Sequence, residues 1–206
     1  MGRLWKALLV ASLIGLVAPT DATAATAAPP SIAMLNFVFA PDPARLHLGQ
    51  HATWRNEPND NQDHTTTDTS PLALWDSGSL GAGETYSFTF TAAATYRYEC
   101  TLHYFFGMTG TLVVRDNVSP PSGPVGTVFT ITVATIEAPA GMVYDILKSD
   151  PGGRFRSWVV GATLPTAEFD STGQPTGAYG FRSRLRRVSD NATTEYSPGA
   201  AITVTS

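Results

Sequence analysis

The sequence predicts an all-β protein of two consecutive domains behind an N-terminal export segment. Thr, Val, Tyr and Phe recur in short alternating runs, the period-2 pattern of half-buried strands, and no window of a dozen residues sustains helical periodicity. The stretch DNVSPPSGP, residues 116–124, concentrates turn and breaker residues just after the apolar run TGTLVV. The charge balance changes at the same place: residues 28–116 hold 4 Lys+Arg against 9 Asp+Glu, and residues 117–206 hold 7 of each. The 206-residue chain therefore divides into residues 1–27, a first domain over 28–116 and a second over 117–206. An acidic domain beside a neutral one lacks the basic surface that nucleic acid demands.

Residues 1–27 have the layout of a secretory signal peptide. Arg3 and Lys6 precede the apolar run ALLVASLIGLVA, and small residues follow, with Ala22-Thr23-Ala24 or Ala25-Thr26-Ala27 as the cleavage sequence. An apolar run of about twelve residues is too short for a bilayer, which takes roughly 20. The expected mature protein is secreted or periplasmic, with no membrane span and no lipid anchor, and is expected to be a monomer.

In the first domain the stretch YRYECTLHYFFGMTG, residues 96–110, contains the only cysteine of the chain. An odd cysteine in an exported protein is buried and inert, bonded to another chain, or ligating. Its neighbours favour ligation: His103 follows Cys100 by three residues and Met108 by eight. With 4 His and 4 Met in the chain, that pair of offsets arises by chance roughly 4 times in 10,000. In TYRYEC the alternation turns Tyr96, Tyr98 and Cys100 inward and Arg97 and Glu99 outward, so the thiol arrives inside at a strand end. Gly107 and Gly110 then permit a tight return that brings Met108 back. Upstream, His64 closes the polar loop NEPNDNQDH. Two imidazoles, a thiolate and a weak thioether select copper, with zinc the runner-up metal. His47 and His51 read as solvated strand positions.

These residues carry a family resemblance. The stretch 33–114 resembles the plastocyanin/azurin-like cupredoxins, small blue copper proteins, through ATWRN, HTTT and WDSGSLGAGETYSFTFTAAATYRYECTLHYFFGMTGTLVV with its Cys-x2-His-x4-Met spacing. The resemblance implies a Greek-key β-sandwich binding one copper ion through His64, Cys100, His103 and Met108. The Asn56–His64 segment is longer and more acidic than is usual before the first ligand. Thr65 or Asn56 is expected to fix the ligand loops. Tyr104, Phe105 and Phe106 either fill the end of the domain or present an apolar patch to a redox partner. Asp60 and Asp63 read either as a solvated face or as steering charges.

The second domain has no His and no Cys. MVYDILKSDPGGRFRSWVVGATLPTAEFD reads as three strands, and GAYGFRSRLRRVSDNATTEYSPGAAITVT as two more. Residues 119–205 resemble a fibronectin type III module, an immunoglobulin-like sandwich, through Tyr144, Trp158, Tyr179 and YGFRSRLRRVSDN. Arg182, Arg184 and Arg186 alternate along one strand face, where salt bridging is the expected use. The function expected of the chain is single-electron transfer between redox partners, not enzymatic turnover. Copper storage, delivery or sensing is the alternative.

Overall fold

The computed structural model describes residues 28–206, and the export segment expected over residues 1–27 lies outside them. Among the described residues strands dominate, and the one helical element is a 3-10 turn at Tyr104–Phe106. No helix there is long and apolar enough to cross a membrane.

The first domain contains β1 (Ser31–Leu35), β2 (Val38–Ala40), β3 (Ala44–Leu46), β4 (His51–Asn56), β5 (Thr67–Asp68), β6 (Thr85–Thr89), β7 (Ala94–Glu99) and β8 (Thr109–Val114). They form two four-stranded sheets, β2-β1-β4-β6 and β3-β8-β7-β5. β1 runs parallel to β4 and β3 parallel to β8, while the other neighbours are antiparallel. Both sheets feed one core, with Ile32, Met34 and Trp54 from one and Tyr96, Tyr98, Leu112 and Val114 from the other. Its centre is aromatic: Trp54 meets Tyr98 edge-on at 5.4 Å and stacks on Trp75 at 5.7 Å. Such pairs add about 0.5–1.5 kcal/mol each beyond their buried area. The expected alternation in β7 holds, since Tyr96, Tyr98 and Cys100 are buried and Arg97 is exposed.

The second domain contains β9 (Asn117–Ser119), β10 (Ser122–Pro124), β11 (Val128–Thr132), β12 (Met142–Ser149), β13 (Arg156–Ala162), β14 (Thr166–Asp170), β15 (Gly177–Arg187) and β16 (Ala200–Thr205). A three-stranded sheet, β14-β11-β9, faces a five-stranded one, β10-β16-β15-β12-β13, over a core of Phe129, Ile131, Tyr144, Tyr179, Phe181 and Ile202. Arg184 and Arg186 converge on the buried carboxylate of Asp145, at 3.2 and 2.7 Å, and Arg182 lies over Phe155.

The breaker stretch 116–124 is not a free linker. It holds two three-residue strands that complete the second domain's sheets, and its first residue, Asp116, is buried. The hydroxyls of Ser183 and Ser197 donate to the Asp116 carboxylate. Burial nevertheless pushes that carboxyl up to about 6. Leu72 and Ala92 of the first domain enter the second domain's core, and Arg97 pairs with Glu195 at 2.6 Å.

Candidate metal centre

The strand-to-strand turn after β7 is closed by its own backbone. The Cys100 N–H donates to the Met108 carbonyl at 3.0 Å, and the His103 N–H to the Cys100 carbonyl at 3.0 Å. Gly107 ends the 3-10 turn in the left-handed region at φ 81°, where a side chain would be strained. Gly110 does not share that role: its φ is ordinary, and a Cβ there would collide with the Tyr98 ring. It is small because the core aromatic behind the site lies against β8.

His64 belongs to no strand and is fixed from several sides. Its N–H donates to the Leu80 carbonyl at 3.0 Å, and the Leu80 N–H donates back at 2.8 Å. The Asn56 side-chain amide donates to the carbonyls of Gln62 and Leu80, at 2.8 and 2.9 Å, pinning the long loop. Thr65 joins the two ligand loops. Its N–H donates to Cys100 Sγ at 3.3 Å, and its hydroxyl oxygen accepts the Thr101 N–H at 2.8 Å. Both residues expected to fix the loops therefore do so, by different bonds.

Three donor atoms converge. Cys100 Sγ lies 3.7 Å from His64 Nδ1 and 3.5 Å from His103 Nδ1, and the two nitrogens are 3.1 Å apart. A point equidistant from all three is about 2 Å from each, close to a metal–imidazole bond of about 2.0 Å and slightly short of a metal–thiolate bond of about 2.3 Å. His64 and Cys100 are fully buried, and His103 is 9% exposed. Burial, then the neighbouring His64, holds the His103 imidazole below its ordinary pKa, which keeps a lone pair ready for a metal. Met108 is fully buried in the hydrophobic core that also takes in Cys100, and its backbone carbonyl accepts the Cys100 N–H. A soft thiolate with two imidazoles, on a turn that also carries a methionine, fits copper better than zinc.

Two features of the centre escaped sequence reasoning. Asp60 is buried rather than a solvated or steering charge, and its Oδ2 accepts from His64 Nε2 at 3.1 Å and from the Asn36 N–H at 2.9 Å. Burial pushes its carboxyl up, but hydrogen bonds from His64, Asn36 and Gln62 outweigh that and hold it below the usual range. The Nε2–H bond fixes the His64 tautomer that leaves Nδ1 free. Asp63 is exposed and accepts from Ser79. The second feature is the turn between β1 and β2, where Asn36 and Phe37 both sit at positive φ, 51° and 65°. That is uncommon for any residue but Gly and strained for a bulky one. It lays the Phe37 ring edge-on to His103 at 4.6 Å and stacked on Phe106 at 5.2 Å. Tyr104, Phe105 and Phe106 are not core, and Phe105 and Phe106 are 82% and 72% exposed. With the exposed Leu102, next to His103 in the chain, they give the His103 side an apolar surface. His47 and His51 are exposed and lie outside the cluster.

Residues 33–115 match the family of copper binding proteins of the plastocyanin/azurin type. The match takes in less than half of the chain but contains His64, Cys100, His103 and Met108. Similar solved structures include the reduced Cu(I) form of an amicyanin variant at pH 4, 24% identical over 42% of this chain and 82% of that one, with a TM-score of 0.38. An oxidized amicyanin variant is 26% identical over 41% of this chain and 79% of that one, with a TM-score of 0.36. No curated protein matches the chain. The first domain is thus a cupredoxin β-sandwich followed by a second β-sandwich, and its cofactor is copper, with His64, Cys100 and His103 as candidate ligands.

Proposed function

We propose that residues 28–116 form an extracytoplasmic one-electron carrier of the blue copper kind, in which His64, Cys100 and His103 would hold the copper ion and Met108 would supply a further, weak thioether donor. The convergence of thiol and two imidazoles from two separate loops carries this reading. Bound copper supplies the Cu(I)/Cu(II) couple. The protein's part is to hold the donors still. The His64–Leu80 bridge, the Asn56 amide and the Thr65 bonds to Cys100 and Thr101 fix both loops, so the donor set changes little between the two oxidation states. Low reorganisation favours fast exchange.

His103 is the ligand that reaches the surface, and the apolar residues around it suit the docking of a redox partner protein. The buried site offers no open position for a substrate, which supports a carrier rather than an enzyme. The second domain's three-plus-five sheets over Tyr144, Tyr179 and Phe181, with Trp158 against Phe181 at 5.3 Å, support a fibronectin type III-like spacer over residues 117–206.

The test is optical. Purified protein given Cu(II) should turn intensely blue through thiolate-to-copper charge transfer and bleach reversibly with a mild reductant. Cys100→Ser should remove the colour. His64→Gly and His103→Gly should each open a position that added imidazole refills. Rapid loss of copper to a chelator, with no reversible voltammetric wave, would instead favour storage or delivery.

A further inference from the structure

The first domain is acidic, yet its few cations are not scattered. Of its four arginines, Arg45, Arg97 and Arg115, three fall on the outer face of the sheet β3-β8-β7-β5. The parallel register pairs Arg45 with Val113, and two residues further along it sets His47 beside Arg115. Arg97, on β7, is satisfied by Glu195. Arg45, His47 and Arg115 differ. Their side chains are exposed and have no carboxylate partner among the described residues. They line one groove of about 430 Å³, whose other wall includes Asn117 and Pro198 from beyond the domain junction. Two further grooves carry arginine, but Arg184 and Arg186 in one are committed to Asp145 and Arg97 in the other to Glu195.

Holding two guanidiniums and an imidazole along one groove without a counter-charge is electrostatically unfavourable. Planar guanidiniums are also the donors best shaped for two-pronged bonding to carboxylate or phosphate. We propose that this groove binds a multivalent oxyanion, a small di- or tricarboxylate or a phosphate group, gripped by Arg45 and Arg115 with His47 and the Asn117 amide as further donors. The site stands at the far end of β8 from the metal. Arg115 lies seven positions beyond Met108, about 23 Å along an extended strand. It also straddles the junction, one residue from the buried Asp116. Its ligand therefore ties the two sandwiches together without touching the copper ligands.

Isothermal titration of the full copper-loaded protein tests this with three probes: citrate, inorganic phosphate, and vesicles of phosphatidylglycerol against phosphatidylcholine. Citrate or phosphate should bind saturably at one site. Arg45→Gln and Arg115→Gln should each weaken binding by about ten-fold or more, as expected for loss of a charge-assisted pair, with the blue absorbance unchanged. The exposed Arg154→Gln should leave binding intact. Binding only to phosphatidylglycerol vesicles, lost with the same two variants, assigns the oxyanion to a lipid headgroup and upholds the site. No saturable binding of any probe, or binding equally sensitive to Arg154→Gln, overturns it. Both arginines are exposed, so the variants are expected to fold, and an unchanged copper spectrum checks that.

Discussion

Replacing Asp60 by Asn should raise the reduction potential of the copper site. The carboxylate is a buried negative charge, 4% exposed at its side chain, whose Oδ2 sits 3.1 Å from His64 Nε2. Adding the width of an imidazole ring and one metal–nitrogen bond places the charge roughly 7 Å from the metal. At an effective dielectric constant near 20, a unit charge at that distance favours Cu(II) over Cu(I) by about 2 kcal/mol, or on the order of 100 mV for one electron. Part of this is already shared with the N–H groups of Asn36 and Gln62, which makes it an upper figure. Asparagine keeps the volume and one acceptor. It turns an amide toward the Gln62 N–H, so the fold should lose about 1–3 kcal/mol while the site survives. Voltammetry of wild type and Asp60→Asn, with absorbance confirming the same site, reads the shift. A potential that stays fixed or falls in a variant of unchanged spectrum would refute the assignment of Asp60 to the ligand's back side.

Met108→Gln should lower the potential and keep a coloured site, because a harder oxygen donor favours Cu(II); paired voltammetry and chelator-exchange rates check it. Gly110→Ala should destabilise the first domain by about 1–3 kcal/mol or more through overpacking against Tyr98, visible in denaturant unfolding. Truncating the ring with Tyr98→Leu in the same chain should recover part of that loss. Asp116 gives a pH dependence of known sign. Its folded pKa of about 6 lies above an unfolded value near 4, so the folded state holds its proton longer and stability falls as pH rises between them. Asp116→Asn should flatten unfolding free energy between about pH 4 and 6, where wild type loses on the order of 2–3 kcal/mol; equal slopes would place the titration elsewhere.

The sequence alone determined what depends on neighbours along the chain. Period-2 alternation fixed the inward face of TYRYEC, and the three- and eight-residue offsets from Cys100 fixed which side chains one short turn can bring back to it. Breaker residues and a charge shift marked where one sandwich gives way to the next. His64 was legible as a donor type at a loop end, though not as a position, because the Asn56 and Leu80 bonds that place it come from residues 8 and 16 positions away. The tertiary structure decided everything that rests on pairing between distant segments. Asp60 reads as one more loop acid until the fold buries it against His64 and Asn36. Phe37 carries no signal in the linear pattern, and only a left-handed turn lays its ring on His103. Asp116 reads as part of a linker until Ser183 and Ser197 close over it. A charge or a ring has no fixed role in a linear pattern, since its energy is set by the dielectric and the partners that folding brings to it.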